Sequence, residues 1–160
     1  MLFRSVGVFV GFTNALDWTA VLMEKSRHGS HSPPVFGGGT TSFAAGRISY
    51  ALGLTGPSMA IGTECSSSLV AVDSAVQNVR HSKCGAAVAA GVNLYLHQGG
   101  WIGKCAMRFV SHDGRSRSFD AAADGFGQAE ACGAAVFHTI NMTTDDSDAK
   151  KPLAWVLGTA

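Results

Sequence analysis

Apolar residues along this chain fall into continuous runs and helical stripes, separated by polar or Gly/Pro-rich stretches. Val6–Phe12 is an unbroken apolar run with two glycines, read as a buried strand with small residues for close packing. Asn14–Glu24 has room for a short helix with a weak stripe of Leu16, Ala20 and Val21. Residues 26–41 are polar and rich in Gly, Pro and His, hence a loop. Thr41 or Ser42 caps the next helix, which runs to about Leu52 and stops before Gly53. Gly56-Pro57 marks a turn, and Pro57–Ile61 reads as a short buried strand. Three serines follow Cys65, the residue type that caps helix starts, and then an apolar segment reaches Val79. Leu69, Val70, Val72, Ala75, Val76 and Val79 cover nearly its whole circumference, which predicts a buried helix.

Cys84–Leu96 is almost continuously Ala, Val and Gly, the pattern of a strand covered on both faces. Trp101–Met107 predicts a short helix, and Ser111–Asp124 an irregular stretch with a turn at Asp113-Gly114. In that stretch Arg115, Arg117, Asp120 and Asp124 read as an ion-pairing loop. Ala131–Ile140 is a strand, residues 141–151 a polar hairpin or surface loop, and Leu153–Thr159 a further strand. A chain that stops inside an apolar strand reads as cut. There is no internal repeat.

Composition narrows the function. A net charge of +1 argues against nucleic acid as a main partner, because phosphate binding needs clustered Lys and Arg. The charged fraction is 14%, against roughly 25% in ordinary globular chains. So little charge predicts a large buried interface or membership of something larger. The four cysteines, at 65, 84, 105 and 132, form no Cys-x-x-Cys pair, so neither a zinc site nor a disulfide framework is expected and a reducing compartment is. His28 and His31 lie close in sequence but lack further ligands. Gly37-Gly38-Gly39-Thr40-Thr41 has no following Lys and is not a phosphate loop. No run reaches the length of a membrane helix.

Chemistry concentrates at Cys65, placed between a strand and a helix. A helix start leaves backbone N–H groups unpaired and carries partial positive charge. Both favour the thiolate, which is the nucleophile. The same N–H groups can receive the oxyanion formed when a thiolate attacks a carbonyl. Glu64 opposes this if its carboxylate turns inward, so it is expected to point away. Asp73, on the helix among apolar neighbours, is given no catalytic role.

Thr63-Glu64-Cys65-Ser66-Ser67-Ser68-Leu69-Val70-Ala71 resembles the active-site signature of β-ketoacyl synthases, above all the ketosynthase domains of polyketide synthases. Ala45–Ser58 resembles the helix and turn before that family's nucleophile strand, and Ala90-Gly91-Val92-Asn93-Leu94 the strand after its nucleophile helix. Ser111–Arg115 and Ser118–Gly127 resemble its later loops. The likeness runs from about Val6 to the end, weakest over 15–39. It implies an α/β, thiolase-like layered fold of two similar halves, incomplete here: residues 1–160 would be mostly the N-terminal half of the ketosynthase domain, truncated at the C-terminus. It also assigns Val6–Phe12 to a core strand rather than a secretory signal, so the protein is expected in the cytoplasm or an organelle stroma, not secreted.

The implied reaction is acyl transfer to Cys65 and then decarboxylative Claisen condensation with a malonyl-type thioester. Cys65 would be the acyl-thioester nucleophile, with its backbone N–H as one oxyanion donor. The resemblance implies no directly bound cofactor, since substrates ride on the phosphopantetheine of an acyl carrier protein. It implies a homodimer too, with the contact between copies around Cys84–Leu96, whose small side chains suit close packing.

The family's two histidines come from segments resembling His-Gly-Thr-Gly-Thr and Lys-x-Asn-x-Gly-His. Neither segment occurs here, and His28, His31, His81, His97, His112 and His138 all lack that context. The second oxyanion donor, from a glycine-rich turn, is missing as well. Gly62 replaces the usual Asp, Glu64 a small residue, and Ala129 and Ala131 expected glycines. The alternatives are a fatty-acid condensing enzyme of the same fold and a non-catalytic chain-length or docking relative.

Overall fold

The computed structural model describes residues 5–13, 15–27, 40–139 and 152–159. The loop expected over 26–41, with His28, His31 and the triple glycine, lies mostly outside these residues, as does the polar segment 141–151.

Strand β1 (Val6–Phe12) is followed by helices α1 (Ala15–Arg27) and α2 (Phe43–Leu52), and then by β2 (Ser58–Ile61). A 3-10 turn (Glu64–Ser66) leads into α3 (Ser67–Arg80), with β3 (Ala86–Asn93), α4 (Gln98–Ala106) and β4 (Ala131–His138) beyond it. The sheet order is β2-β1-β3-β4. β1 runs parallel to both β2 and β3, while β4 is antiparallel to β3. Parallel strands need crossover connections, and α2 and α3 supply them on opposite faces.

Alternation along the strands sorts side chains between those faces. Phe9, Ala87 and Ala89 pack with Ala71, Ala75 and Val79 of α3. Val8 and Val10 pack with Ala45 of α2, flanked by Phe12, Ile48, Ala90 and Val92. β1 is thus buried on both sides, as its run predicts. β3 is covered on both faces too, but its alanines serve intramolecular packing: Ala87 and Ala89 lie under α3. Both edges of β3 are also occupied. A contact between copies around Cys84–Leu96 therefore has neither edge of β3 free for it; among the described residues of that stretch Gly85, Leu94 and Leu96 are exposed.

α2 ends as its glycine predicts. Gly53 adopts a left-handed φ of 64°, and its N–H reaches the carbonyls of Ser49 and Tyr50. Ser42 stands at the N-cap without a side-chain cap bond.

Three expectations need correction. β2 is an edge strand with only Ile61 buried, because it has one neighbour and not two. α3 buries one stripe, Ser67, Ala71, Ala75, Val76 and Val79, and leaves Leu69 73% exposed, because among the described residues the sheet covers one side of it. Residues 152–159 form no strand. They are tied instead to the last turns of α3, where Arg80 Nη2 donates to the Leu157 carbonyl (2.8 Å) and Gln77 Nε2 to Thr159 Oγ1 (2.9 Å).

α4 begins earlier than the apolar pattern suggests. His97 Nδ1 accepts from Gly99 N–H at its N-cap. Asp17 of α1 is buried against the same turn, so close that a Cβ on Gly100 would come within 2.6 Å of its Oδ1. A carboxylate there faces the positive end of the helix.

Candidate active site

β1, β2 and β3 end on the same side of the sheet. In open α/β sheets, ligands bind outside the carboxyl ends of the strands, where connections leave to opposite faces. Here β1 sits between two strands whose connections pass over different faces. Three side chains occupy that edge: Thr13 after β1, Cys65 after β2, and Asn93 at the end of β3.

Cys65 is where the sequence places it, at the head of a helix. The turn that presents it is tight, since Glu64 has φ 55°, a left-handed conformation uncommon for a non-glycine residue. In the 3-10 turn the Ser66 N–H goes to the Thr63 carbonyl and the Ser67 N–H to the Glu64 carbonyl. The Cys65 N–H takes part in neither bond. Cys65 and Glu64 are both exposed.

The serines do not act as simple helix caps. Ser66, at the N-cap, makes no cap bond, and its hydroxyl donates to the Thr63 carbonyl (2.7 Å). Ser67 is 1% exposed and ties the turn together. Its Oγ accepts from Thr63 N–H at 2.8 Å and lies 2.7 Å from the Glu64 carbonyl and 3.2 Å from the Phe12 carbonyl. The cysteine turn is thereby fastened to the end of β1.

Close approach of that turn requires glycine beneath it. A Cβ on Gly11 would lie 2.5 Å from the Ser67 carbonyl carbon and oxygen, and one on Gly91 would lie 2.8 Å from Ser68 Cβ. Gly11 and Gly91 are directly paired across β1 and β3. Gly133 of β4 continues the row, with open space around its own Cβ position.

A cleft of about 530 Å³ opens from this platform. Cys65, Ser67, Ser68 and Val72 form one wall, and Gly91, Gly133 and Ala135 part of its floor, so most of the lining is apolar. Thr13 and Asn93 stand at its polar rim: Thr13 Oγ1 donates to Asn93 Oδ1 (3.3 Å), and Asn93 Nδ2 to the Ala129 carbonyl (2.8 Å). None of the described histidines lines the cleft. Glu64, expected to point away, lines the cleft beside Cys65 and is its one titratable carboxyl among the described residues; the rest of the space suits an acyl chain beside a thiol.

Cys105 and Cys132 are exposed like Cys65 but do not line the cleft, and Cys84 differs from all three. Cys84 is buried, and burial pushes its thiol pKa up, partly offset by a backbone hydrogen bond from Gly7. A raised pKa disfavours the thiolate, so Cys84 is a packing residue. Among the described residues no group of His, Cys, Asp and Glu is placed to hold a metal ion, and no helix is long and apolar enough to cross a membrane.

The ion-pairing loop exists with altered membership. Arg117 bridges Asp113 and Asp124, at 3.3 Å from the latter. Arg115 donates its backbone N–H to Asp113, and Asp120 accepts from the Ala122 N–H, so neither side chain joins the cluster. Ser111 Oγ, itself buried, lies 2.8 Å from Asp113 Oδ1 and 2.8 Å from Asp124 Oδ1. That hydroxyl, with one proton to share between the two, is the first cause of both carboxyls titrating below the usual aspartate range, with Arg117 and backbone N–H groups adding to it.

Sequence reasoning missed Thr13 and Asn93 as parts of the site. The available signal was positional: each is a polar residue at the carboxyl end of an apolar parallel strand.

The sheet, its flanking helices and the cysteine turn define an α/β protein of the layered, thiolase-like kind. Residues 3–141 match the family described as "Beta-ketoacyl synthase, N-terminal domain", and the chain belongs to that family. It is 41% identical over 130 residues to the pikromycin polyketide synthase component PikAII of Streptomyces venezuelae, covering 81% of this chain and 3% of that protein. It is 39% identical over 133 residues to the hybrid PKS-NRPS synthetase mpsA of Macrophomina phaseolina, covering 82% of this chain and 3% of that one. Among solved structures, the oxazolomycin ketosynthase domain OzmH KS7 of Streptomyces albus superposes with a TM-score of 0.70 at 35% identity, covering 82% of this chain and 22% of the other. The chain thus spans a small part of its relatives' length.

Proposed function

We propose that this chain carries the acyl-accepting cysteine of a polyketide ketosynthase, an acyltransferase of the 3-oxoacyl-[acyl-carrier-protein] synthase type. The reading rests on one observation: an exposed thiol at the head of α3, opening on an apolar cleft at the carboxyl ends of three parallel strands.

In the first step Cys65 Sγ, as thiolate, attacks the carbonyl of an acyl thioester carried by phosphopantetheine. Negative charge collects on the carbonyl oxygen, where the Cys65 N–H is its donor from this chain. Collapse breaks the carrier's C–S bond, leaving the acyl group on Sγ, and the proton given up by Cys65 ends on the departing thiol. In the second step a malonyl-type thioester loses CO₂, and the resulting carbanion attacks the acyl carbonyl. A C–C bond forms, the bond to Sγ breaks, and the extended β-ketoacyl chain leaves on its carrier.

The groups that make and aim the carbanion are two histidines by family likeness, and neither segment that carries them occurs in these 160 residues. This piece by itself is proposed to accept no condensation role. The partners are an acyl carrier protein with its acyl and malonyl-type thioesters, and a second copy of the chain in contact near residues 84–96 through Leu94 and Leu96. A reducing compartment, cytoplasmic or organelle-stromal, fits four free cysteines.

The experiment is Cys65→Ala in the intact protein, with acyl transfer from a thioester followed by intact-protein mass spectrometry. Loss of the acyl adduct is expected. Undiminished loading would remove Cys65 from the mechanism. Light scattering that returns a monomer would remove the second copy.

A further inference from the structure

We propose that Asn93, acting through Thr13, is a positioning residue for acyl loading at Cys65; the proposal rests on the reading of Cys65 as the nucleophile. The β1–β3 ladder ends at Phe12 opposite Val92, and the β3–β4 ladder at Asn93 opposite Ala131. Past those pairs no strand bonding fixes the chain segments that form the rim of the cleft. The Asn93 side chain takes over there. Its Oδ1 accepts from the Thr13 hydroxyl at 3.3 Å, and its Nδ2 donates to the Ala129 carbonyl at 2.8 Å.

The orientation of that amide is fixed by chemistry. A carbonyl can only accept, so the NH₂ must face Ala129 and the oxygen must face Thr13, whose hydroxyl supplies the proton. One neutral side chain thereby joins the residue after β1 to a residue just before β4. From the other side, the Ser67 hydroxyl lies 3.2 Å from the Phe12 carbonyl. The Phe12–Thr13 corner is gripped by Asn93 from β3 and by Ser67 from the head of α3, two residues after Cys65. Phe12, Thr13, Asn93, Cys65 and Ser67 all line the same cleft.

An amide with no titratable proton cannot act as acid or base here. What it can do is hold the wall against which an acyl group on Cys65 must lie for the thiol to meet its carbonyl. Attack on a carbonyl depends on that alignment, whereas alkylation by a small untethered reagent does not.

The test uses the intact protein carrying this chain, with an acyl N-acetylcysteamine thioester as the probe. Thr13→Val removes the hydroxyl and keeps the shape, Thr13→Ser keeps the hydroxyl, and Asn93→Ala removes the amide. For each, loading of Cys65 is resolved into a maximal rate and a half-saturating concentration, beside the iodoacetamide alkylation rate and Tm. Thr13→Val and Asn93→Ala are expected to lower the maximal loading rate by about tenfold to a hundredfold. Alkylation should stay at the wild-type rate, and Thr13→Ser should restore loading. Wild-type loading in Thr13→Val overturns the proposal, as does a fall in alkylation that matches the fall in loading. Should Asn93→Ala fail to fold, the Thr13 pair decides the matter. Loading that survives Cys65→Ala sinks the nucleophile reading, while Cys65-dependent loading indifferent to Thr13→Val sinks only the bridge.

Discussion

β1 and β4 belong to one sheet and are nearly the same length, yet they live in different surroundings. Six of the seven β1 residues are buried, whereas in β4 only Phe137 is even partly covered and Val136 is 67% exposed. Both have continuous hydrogen-bonded ladders with β3. Backbone pairing and side-chain burial are therefore separate properties of a strand. β1 is held by helices on both faces, β4 by its ladder and little else. The same division runs along the row Gly11–Gly91–Gly133, crowded at one end and open at the other.

That contrast can be broken most severely at Gly11. Gly11→Val would drive its Cβ into the Ser67 peptide, and is expected to cost about 3 kcal/mol or more, read as lost soluble yield or a collapsed denaturation midpoint. Phe9, wholly buried at the centre of the α3 face, comes close behind: Phe9→Ala should cost roughly 3–5 kcal/mol in denaturant unfolding. Ser67→Ala leaves the Thr63 N–H and the turn without their partner, for about 1–3 kcal/mol. Gly133→Ala sharpens the comparison from the other end. With nothing within 4 Å, it should be neutral or stabilise by up to about 1 kcal/mol, and a loss as large as that of Gly11→Val would show that something presses on β4.

The smallest effect belongs to the loop before β4. Asp113 and Asp124 titrate below their ordinary value, so their ionised forms favour the folded loop. That contribution is complete above the ordinary aspartate pKa of about 3.9 and is lost as pH falls through the lowered folded values. Amide protection over 109–127, taken relative to the intrinsic exchange rate at each pH, should therefore fall in acid before that of β1. Ser111→Ala should raise both carboxyl midpoints in an NMR titration; unmoved midpoints would take the hydroxyl out of the account.

Much of this was legible in the residues. Continuous apolar runs gave β1 and β3, and the strand–turn–helix pattern around Cys65 matches the elements found there. Gly53 ended α2 where a left-handed residue was needed. What escaped was set by neighbours distant in sequence. Leu69 and Val70 look like core from periodicity alone, because periodicity cannot say how many sides of a helix are covered. Residues 153–159 have the composition of a strand, but pairing needs a partner edge, and α3 offers them the side-chain donors of Arg80 and Gln77 instead. The helix expected from Trp101 starts at Gln98, and Gly100 sits inside it where Asp17 occupies the space a side chain would need. Asn93 carries no local signal beyond its place at the end of a strand.

The paired glycines under the start of α3 also bear on how the sheet assembles. β1 has two glycines and β3 mostly small residues, and strands of that kind are weakly specified in register and prone to slippage. Sliding β3 by two residues would put Ala89 or Asn93 where Gly91 now lies, and either would bring a Cβ against Ser68. Helix docking thus proofreads strand alignment: only the correct offset leaves a gap for the serine run, so a thiol at the mouth of the cleft certifies that the sheet beneath it was assembled in step.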